Sequence, residues 1–287
     1  MARIGDRHPE GAPGEWFVDT NCFDCDAARQ VAPGLIIRNP SDGVSLFARQ
    51  PETPEELQMA WRAVMVCPTK SVGHTSLKRP SSPVFPQALG DGVHRLGHNS
   101  KSSFGAHSYL VERVAGNVMV DSPRWTREVV APLEELGGVA HILLSHSDDV
   151  ADADRYADHF GARVWIHADD ARAAPYATDV IEGDDLLAIA DDVVAFPVPG
   201  HTKGSVLYLL AGHLLFSGDS LSWNPEREQL SAFREACWYS WEEQTKSLGR
   251  FADSDLRFDR LFCGHGWNHD LAADGFHRHL TELVARM

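Results

Sequence analysis

The sequence has few cysteines, few basic residues and no long apolar run. Five cysteines are an odd number in a chain of 287 residues, so we do not expect a secreted disulfide framework. No apolar stretch approaches the roughly 18 to 20 residues of a membrane helix. The polar segment 1–14 also lacks the apolar core of a signal peptide. We therefore expect a cytoplasmic protein that does not bind a membrane.

Basic side chains are outnumbered by acidic ones, 26 against 41, which gives a formal net charge of −15. Nucleic acids attract basic proteins, so a nucleic-acid partner is not expected. The charge is uneven, because residues 1–90 carry 9 basic and 10 acidic side chains whereas residues 91–287 carry 17 and 31. Residues 91–287 also hold 13 of the 15 histidines. This uneven distribution predicts two domains of different composition, and the second is rich in side chains that can bind a metal.

Residues 15–75 are typical of a small α+β domain. The segment 16–18 predicts a strand, and the sequence Thr-Pro-Glu-Glu from Thr53 predicts a helix start with Thr as N-cap and Pro at the first helical position. Prolines 80, 83 and 86 then give residues 76–92 the composition of a linker. The second domain is expected to run over 93–287.

Short apolar strands alternate with helical stretches after residue 93, a pattern that favours a layered α/β fold. Helices are predicted at 125–136, 150–160, 239–251 and 275–286. Ser240 is expected to cap the third of these. The aromatic side chains beside it, at 238, 239 and 241, are expected either to pack in the core or to line the mouth of a pocket.

Several predicted strands of this second domain end in a side chain that can bind a metal, and three of those endings have a glycine beside it. These side chains are His146, Asp148, Asp149, His201, Asp219 and His265. Ligands held at the ends of strands in one stiff sheet converge at a common edge. Glycine beside them allows turns that other residues avoid. The sequence therefore predicts a metal site.

This order of residues resembles the metallo-β-lactamase superfamily over about 93–270, and Asp121 in Asp-Ser-Pro resembles that family's early strand ending. The resemblance implies a four-layer αββα sandwich with metal at one edge. It implies His146, His201, Asp219 and His265 as ligands.

The family signature His-x-His-x-Asp-His is altered here to His146-Ser-Asp148-Asp149-Val150-Ala151. Val and Ala cannot bind a metal, so a single divalent ion is expected on His146, His201 and Asp219. Asp148 and His265 would be accessory ligands or would support the ligands from behind, and Asp149 could act as a base. Two histidines and one carboxylate suit Zn²⁺ or Fe(II), and the superfamily's sulfur dioxygenases resemble this pattern.

The N-terminal cysteines resemble those of a single-cluster ferredoxin. Cys22 and Cys25 have the family's spacing, and Cys67 stands in a distant Cys-Pro, but Ala28 occupies the third cysteine position. An iron–sulfur cluster needs three or four such thiolates, and Asp24 or Asp26 could supply an oxygen ligand. Three alternatives remain open: an intact cluster, a ferredoxin-like packing or docking domain without one, and a zinc site or disulfide of Cys22 with Cys25.

The first functional hypothesis is a metal-dependent hydrolase with an atypical site for one metal, acting on a small molecule. A second is a non-haem iron redox enzyme, similar to an oxygenase or a sulfur dioxygenase, that works with the ferredoxin-like domain and a redox partner. A third is a binding protein without metal. No motif indicates a particular substrate or oligomeric state.

Overall fold

The structure is a computed structural model that describes residues 2–76, 80 and 82–287. The chain forms two compact units, one of Met1–Val111 with Pro123–Leu136 and the other of Glu112–Ser122 with Gly137–Met287. Residues 77–79 and 81 of the predicted linker lie outside the described residues. The described part of that linker contains a strand at Gln87–Gly90.

Both units contain α-helices and β-strands. The α-helices are α1 Ala27–Val31, α2 Pro54–Val66, α3 Arg127–Glu135, α4 Ala153–Phe160, α5 Trp241–Asp253 and α6 Ala273–Arg286. The strands are β1 Trp16–Val18, β2 Ile36–Arg38, β3 Ser45–Phe47, β4 Val72–His74, β5 Gln87–Gly90, β6 Val93–Arg95, β7 Tyr109–Val111, β8 Val118–Val120, β9 His141–Leu143, β10 Arg163–His167, β11 Asp179–Ile181, β12 Leu187–Ala190, β13 Val193–Pro197, β14 Val206–Leu210, β15 Leu214–Phe216, β16 Ser222–Asn224, β17 Gln229–Ser231, β18 Arg260–Phe262 and β19 His269–Asp270.

The N-terminal part of the first unit is built on two antiparallel strand pairs, β1 with β4 and β2 with β3. Helices α1 and α2 pack together beside them. The predicted cap of α2 is confirmed, since the Thr53 hydroxyl accepts a hydrogen bond from Glu56 N and the Glu56 carboxylate accepts one from Thr53 N. Trp16, Phe47 and Val66 are buried in the shared core. Strands β5, β6 and β7 add an antiparallel meander.

The second unit contains two sheets. Strands β8 to β11 run parallel in the order β11-β10-β9-β8, and six further strands follow the order β12-β13-β14-β15-β18-β19. The parallel pairing of β15 with β18 places the ends of both strands side by side. Helices α5 and α6 pack on each other, and Leu248, Phe251 and Phe276 join them to the apolar core of the six-stranded sheet.

One predicted helix starts later than its sequence pattern indicates. The segment 150–160 is helical only from Ala153, because Ser147–Asp149 form a 3₁₀ turn and Ala151 has a φ of +36°. This turn keeps Asp148 and Asp149 close to the end of β9, where His146 also lies.

Among the described residues, the structure has no helix that is both long enough and apolar enough to cross a membrane.

Candidate metal centre

Four strand ends of the second unit bring the predicted ligands together. His146 lies three residues after β9, Asp219 three after β15 and His265 three after β18, while His201 follows β13 by four. The spacing places each side chain in the turn that leaves its strand. The ends of these four strands therefore meet in the second unit, as the sequence predicts.

Donor atoms of His146, His201 and Asp219 all lie within 4.8 Å of one another, and the three side chains are buried. The Nε2 atoms of His146 and His201 lie 3.9 and 3.8 Å from the same Asp219 oxygen. Both Nε2 atoms are buried and lack a hydrogen-bond partner among the described residues. A buried polar atom without a partner is costly, so these two lone pairs are suited to a metal ion.

A second set of donor atoms shares Asp219 with the first. Atoms of Asp149, Asp219 and His265 also lie within 4.8 Å of one another. His265 Nδ1 already hydrogen-bonds the Asp219 carboxylate, at 2.9 and 2.8 Å from its two oxygens. Both Asp149 oxygens, in contrast, are buried without a hydrogen-bond partner in the described part of the chain. Asp149 is thus the open member of this second set.

Asp148 lies apart from the buried groups, with a side chain that is 45% exposed. One of its oxygens is 3.5 Å from His201 Nε2, an ion-pair distance that is too long for a good hydrogen bond. The two side chains affect each other's protonation. Burial alone lowers the pKa of His201, but the carboxylates of Asp148 and Asp219 outweigh burial and raise it above its usual value.

A chain of hydrogen bonds that ends at His146 Nδ1 fixes the tautomer of this imidazole. The Ser145 hydroxyl donates to Asp121 at 2.9 Å, and its oxygen lies 2.8 Å from His146 Nδ1. With that hydroxyl proton directed at Asp121, Nδ1 must donate, which leaves Nε2 as the acceptor. Histidines that bind metals commonly use such a partner on the other nitrogen.

Asp170 is a supporting residue that the sequence analysis missed. Its carboxylate accepts hydrogen bonds from Ser147 N at 2.9 Å, the Thr202 hydroxyl at 2.5 Å and Gly204 N at 3.1 Å. It therefore joins the turn after His146 to the turn after His201. The signal was present, since Asp170 follows a strand that ends in His167, as the ligand motifs do.

At two positions beside the ligands, a residue with a Cβ atom would not fit, so glycine is required. A Cβ at Gly264 would lie 2.7 Å from an Asp219 oxygen and 3.0 Å from an Asp149 oxygen. Gly218 has a φ of +49°, and a Cβ there would lie 2.4 Å from Ser145 Oγ. Glycine therefore lets the turns after β15 and β18 approach the ligands closely.

Burial dominates the protonation of the acids around the centre. It raises the pKa of Asp149 well above the usual value, and the neighbouring carboxylates of Asp219 and Asp121 raise it further. Burial also raises the pKa of Asp121 to about 7. Asp219 differs, because the imidazoles of His265, His146 and His201 outweigh burial and lower its pKa. The cluster therefore holds one strongly ionised carboxylate beside a protonatable one.

Aromatic residues before α5 border the centre. Trp238 and Tyr239 are 67% and 47% exposed, so the expectation that they pack in the core is wrong for both. Their backbone N–H groups donate to the His201 carbonyl, and the Trp238 ring lies 6.2 Å from the His201 ring. The predicted N-cap is confirmed, since the Ser240 hydroxyl accepts a hydrogen bond from Glu243 N at 3.2 Å.

The cysteines of the first unit form no comparable set of donors. All five cysteines of the chain are free thiols. Within the described residues, the sulfurs of Cys22, Cys25 and Cys67 do not all lie within 4.8 Å of one another, the separation that suits ligands of one shared ion. The thiolates of an iron–sulfur cluster bind different iron atoms and lie farther apart. Burial raises the pKa of Cys25 to about 12, which favours a neutral thiol. Ala28, at the third cysteine position, is buried in the same core.

The acids that could have replaced the missing cysteine are engaged elsewhere. Asp24 pairs with Arg29 at 2.7 Å and with Arg38 at 2.9 Å, and Asp26 pairs with Arg29 at 2.5 Å. An oxygen already bound by a guanidinium is a poor candidate for an iron ligand. Neither Asp24 nor Asp26 is therefore available to supply an oxygen ligand beside the three cysteines.

Comparisons with known proteins match two separate parts of the chain. Residues 18–74 match the family described as the 4Fe-4S single cluster domain of ferredoxin I, so the ferredoxin-like domain is confirmed. Residues 96–287 match the metallo-β-lactamase superfamily.

The curated relatives match shorter parts of the chain. A hydroxyacylglutathione hydrolase of Xanthomonas campestris pv. campestris (strain B100) is 37% identical over 76 residues, which are 26% of this chain and 29% of that protein. Another of that name, from Rhodospirillum rubrum, is 30% identical over 169 residues, which are 55% of this chain and 60% of its own length. The chain thus spans about 30% to 60% of the length of these two relatives.

Among solved structures, VMB-1 is similar with a TM-score of 0.52 and 16% identity, over 70% of this chain and 95% of that one. At this identity the likeness concerns the fold alone. It agrees with the family match, and together they confirm the predicted α/β class with the αββα sandwich. The chain belongs to the metallo-β-lactamase superfamily.

Proposed function

We propose that the protein is a metal-dependent hydrolase with one divalent ion on His146, His201 and Asp219, acting on a small molecule. The observation that carries the proposal is the pair of buried histidine Nε2 atoms that lack a hydrogen-bond partner in the described chain and lie on either side of one Asp219 oxygen. Two imidazoles and one carboxylate are an ordinary donor set for catalytic zinc and leave positions open.

The residues around these donors support a single metal. Asp219 is held by His265, whose Nδ1 and backbone N–H both bond its oxygens, so His265 orients the carboxylate as an accessory group. Ser145 sets the tautomer of His146 through its own bond to Asp121. The chemistry that a divalent ion supplies in such a site is Lewis-acid activation of water and of the scissile carbonyl.

Asp149 is the proposed general base. Its carboxyl is 1% exposed, lies 3.9 Å from His146 Nε2 and has an unusually high pKa because of burial. Once it is ionised, a carboxylate with a raised pKa is a stronger proton acceptor than an ordinary one. In this proposal Asp149 takes the proton of the water that attacks the substrate.

The curated relatives are named hydroxyacylglutathione hydrolase, which supports hydrolysis and makes a hydroxyacylglutathione the first substrate to assay. The test combines metal analysis of the purified full chain with that assay. One equivalent of zinc and hydrolysis that a chelator abolishes are expected. Protein that holds no metal after loading with zinc or iron would overturn the proposal in favour of a binding protein.

A non-haem iron redox enzyme is the second candidate, because two histidines and one carboxylate are also the facial triad of Fe(II) oxygenases. The same metal analysis separates the two. One equivalent of iron, with oxygen consumption in the presence of a thiol and no hydrolysis, would favour the redox enzyme and a redox partner for the N-terminal domain.

The N-terminal domain is proposed as a ferredoxin-like packing or docking domain without a cluster. The acids near Cys22 and Cys25 are held by arginines, and Ala28 offers no ligand. Reconstitution with iron and sulfide is expected to give thiolate-to-iron absorbance for Ala28→Cys and none for the wild type. A cluster in the wild-type protein would contradict this assignment, and cysteines 22, 25 and 67 would then be its ligands.

A further inference from the structure

An exposed pair of aromatic side chains lies beside the proposed metal centre. Trp238 and Tyr239 are 67% and 47% exposed, whereas the His201 side chain is only 4% exposed. The Trp238 ring nevertheless lies 6.2 Å from the His201 ring, at an angle of 56°. Sites for small molecules are lined mainly by apolar and aromatic side chains with a few polar groups among them. The Trp238 indole is thus a surface on which a molecule at this centre can pack.

Hydrogen bonds hold the segment that carries Trp238 against the turn that carries His201. Trp238 N donates to the His201 carbonyl at 2.8 Å, and Ser240 N donates to the Gly200 carbonyl at 3.1 Å. The Cys237 thiol donates to the same Gly200 carbonyl at 3.1 Å. The backbone of Trp238 is therefore fixed relative to His201, as a precise binding site requires.

Asp148 places a negative charge next to the same imidazole. One of its oxygens lies 3.5 Å from His201 Nε2, and its side chain is 45% exposed. The Ser147 hydroxyl donates to its other oxygen at 3.0 Å. In the described chain, the two sets of donor atoms that lie within 4.8 Å of one another do not include those of Asp148. This carboxylate is therefore accessible to a ligand from solvent.

The basic side chain closest to His201 along the sequence is already paired. Lys203 lies 2.7 Å from an Asp169 oxygen, so an anionic ligand would compete with Asp169 for it. Residues 91–287 carry 17 basic and 31 acidic side chains, and such an excess of acid attracts cations and repels anions. The charges around the centre therefore favour a cationic ligand over an anionic one.

We propose that Trp238 and Asp148 bind a positively charged ammonium group of the substrate. A cation is attracted to the face of an indole ring, and such contacts are a common way to recognise ammonium groups. Asp148 supplies the opposite charge. The inference rests on the proposed hydrolase in one respect, namely that the bound molecule is its substrate. It then predicts a preference for cationic esters or thioesters over neutral and anionic ones.

The first test measures binding without any reaction. Calorimetric titration of the full-length protein, with zinc and after chelator treatment, compares choline with 3,3-dimethylbutan-1-ol, which has the same shape and no charge. We expect choline to bind about 10-fold more tightly than the alcohol in both conditions, because only the cation gains from the indole face and the carboxylate. Equal affinities for the two compounds would overturn the proposal.

Variants assign the choline preference to the two side chains. Trp238→Leu keeps an apolar side chain without an aromatic face and should weaken choline binding by about 10-fold, whereas Trp238→Phe should retain most of the affinity. Asp148→Asn should weaken it similarly, with zinc and after chelator treatment alike. Phe104→Leu and Glu226→Gln, which alter an exposed aromatic and an exposed acidic residue elsewhere, are the controls. Unchanged choline affinity in Trp238→Leu or in Asp148→Asn, or a loss in Asp148→Asn that requires zinc, means that the assignment is wrong.

The second test compares three acetyl thioesters that differ in the charge of the leaving thiol: acetylthiocholine, S-acetylmercaptoethanol and S-acetylthioglycolate. Hydrolysis releases acetate and the thiol, which is measured. We expect kcat/KM to be highest for the cation and lowest for the anion, and the ratio to approach one in Trp238→Leu. Hydrolysis of all three without this order would overturn the inference and leave the hydrolase standing. Choline binding that needs both side chains, in a protein that takes up no metal, would support the ammonium site while the hydrolase fails.

Discussion

The histidine–aspartate cluster of the second unit and the cysteine region of the first both resemble known metal sites, and both depart from them. In the cluster, the altered positions Val150 and Ala151 leave a set of donors that still converges within 4.8 Å. In the cysteine region, one altered position, Ala28, leaves thiols that form no such group in the described chain. The two regions therefore differ in the donors that remain: the cluster keeps a set suited to one ion, and the described part of the cysteine region does not.

The difference follows from how each set of ligands is supported. His146 and Asp219 stand at the ends of sheet strands and are fixed by Ser145 and His265. Cys22 and Cys25 lie in a loop whose acids, Asp24 and Asp26, are already bound by arginines. A site that keeps its supporting hydrogen bonds can lose a ligand and remain suited to a metal. In the cysteine region the neighbouring carboxylates are already bound by arginines, and we propose that no cluster forms there.

The largest expected effect tests the cluster directly. His201→Ala removes one of two buried imidazoles and should reduce bound metal from about one equivalent to a small fraction, because three protein ligands are the usual minimum for a catalytic ion. Metal analysis after dialysis measures it. His213→Ala, which removes an exposed histidine paired with Asp259, is the control. Unchanged metal content in His201→Ala would mean that the ligand assignment is wrong.

The Asp149→Asn variant distinguishes whether Asp149 acts as a general base or as a metal ligand. As a base, Asp149 should be needed for rate, so kcat falls by about 10²- to 10⁴-fold while one equivalent of metal stays bound. The Asp149, Asp219 and His265 donors could instead hold a second ion. A fall from two equivalents of metal to one in Asp149→Asn would replace the single-metal proposal with that arrangement. Asp154→Asn, on the first turn of α4, is the control.

The sequence predicted the proposed ligands of this centre because each one follows a strand and a turn. It did not predict the role of Asp170, whose three hydrogen bonds come from Ser147, Thr202 and Gly204. Its place after a strand marks Asp170 as a candidate, but its contacts depend on the packing of three separate turns, which no spacing in the sequence encodes. The sequence left two alternatives for Trp238, core packing and the mouth of a pocket, and its exposure of 67% excludes the first.

Ser145→Ala tests whether the support behind a ligand matters as much as the comparison suggests. Without the hydroxyl, His146 Nδ1 loses its partner and the Asp121 carboxyl loses a donor. Metal affinity should fall by about 10- to 100-fold, the usual effect of removing such a partner. Competition with a chelator measures it. Ser147→Ala removes a hydroxyl that donates to the neighbouring Asp148 and should change the affinity much less.

The smallest expected effect concerns the first unit, where stability should not depend on metal. Thr53→Ala removes the hydroxyl that accepts a hydrogen bond from Glu56 N at the start of α2, and loss of such a cap costs about 0.5–2 kcal/mol. Denaturant unfolding with and without chelator should give the same loss in both conditions. Thr245→Ala, inside α5, should be close to neutral because alanine favours a helix interior. A loss for Thr53→Ala that grows when metal is removed would mean that the two regions are energetically coupled, and the contrast between them would no longer hold.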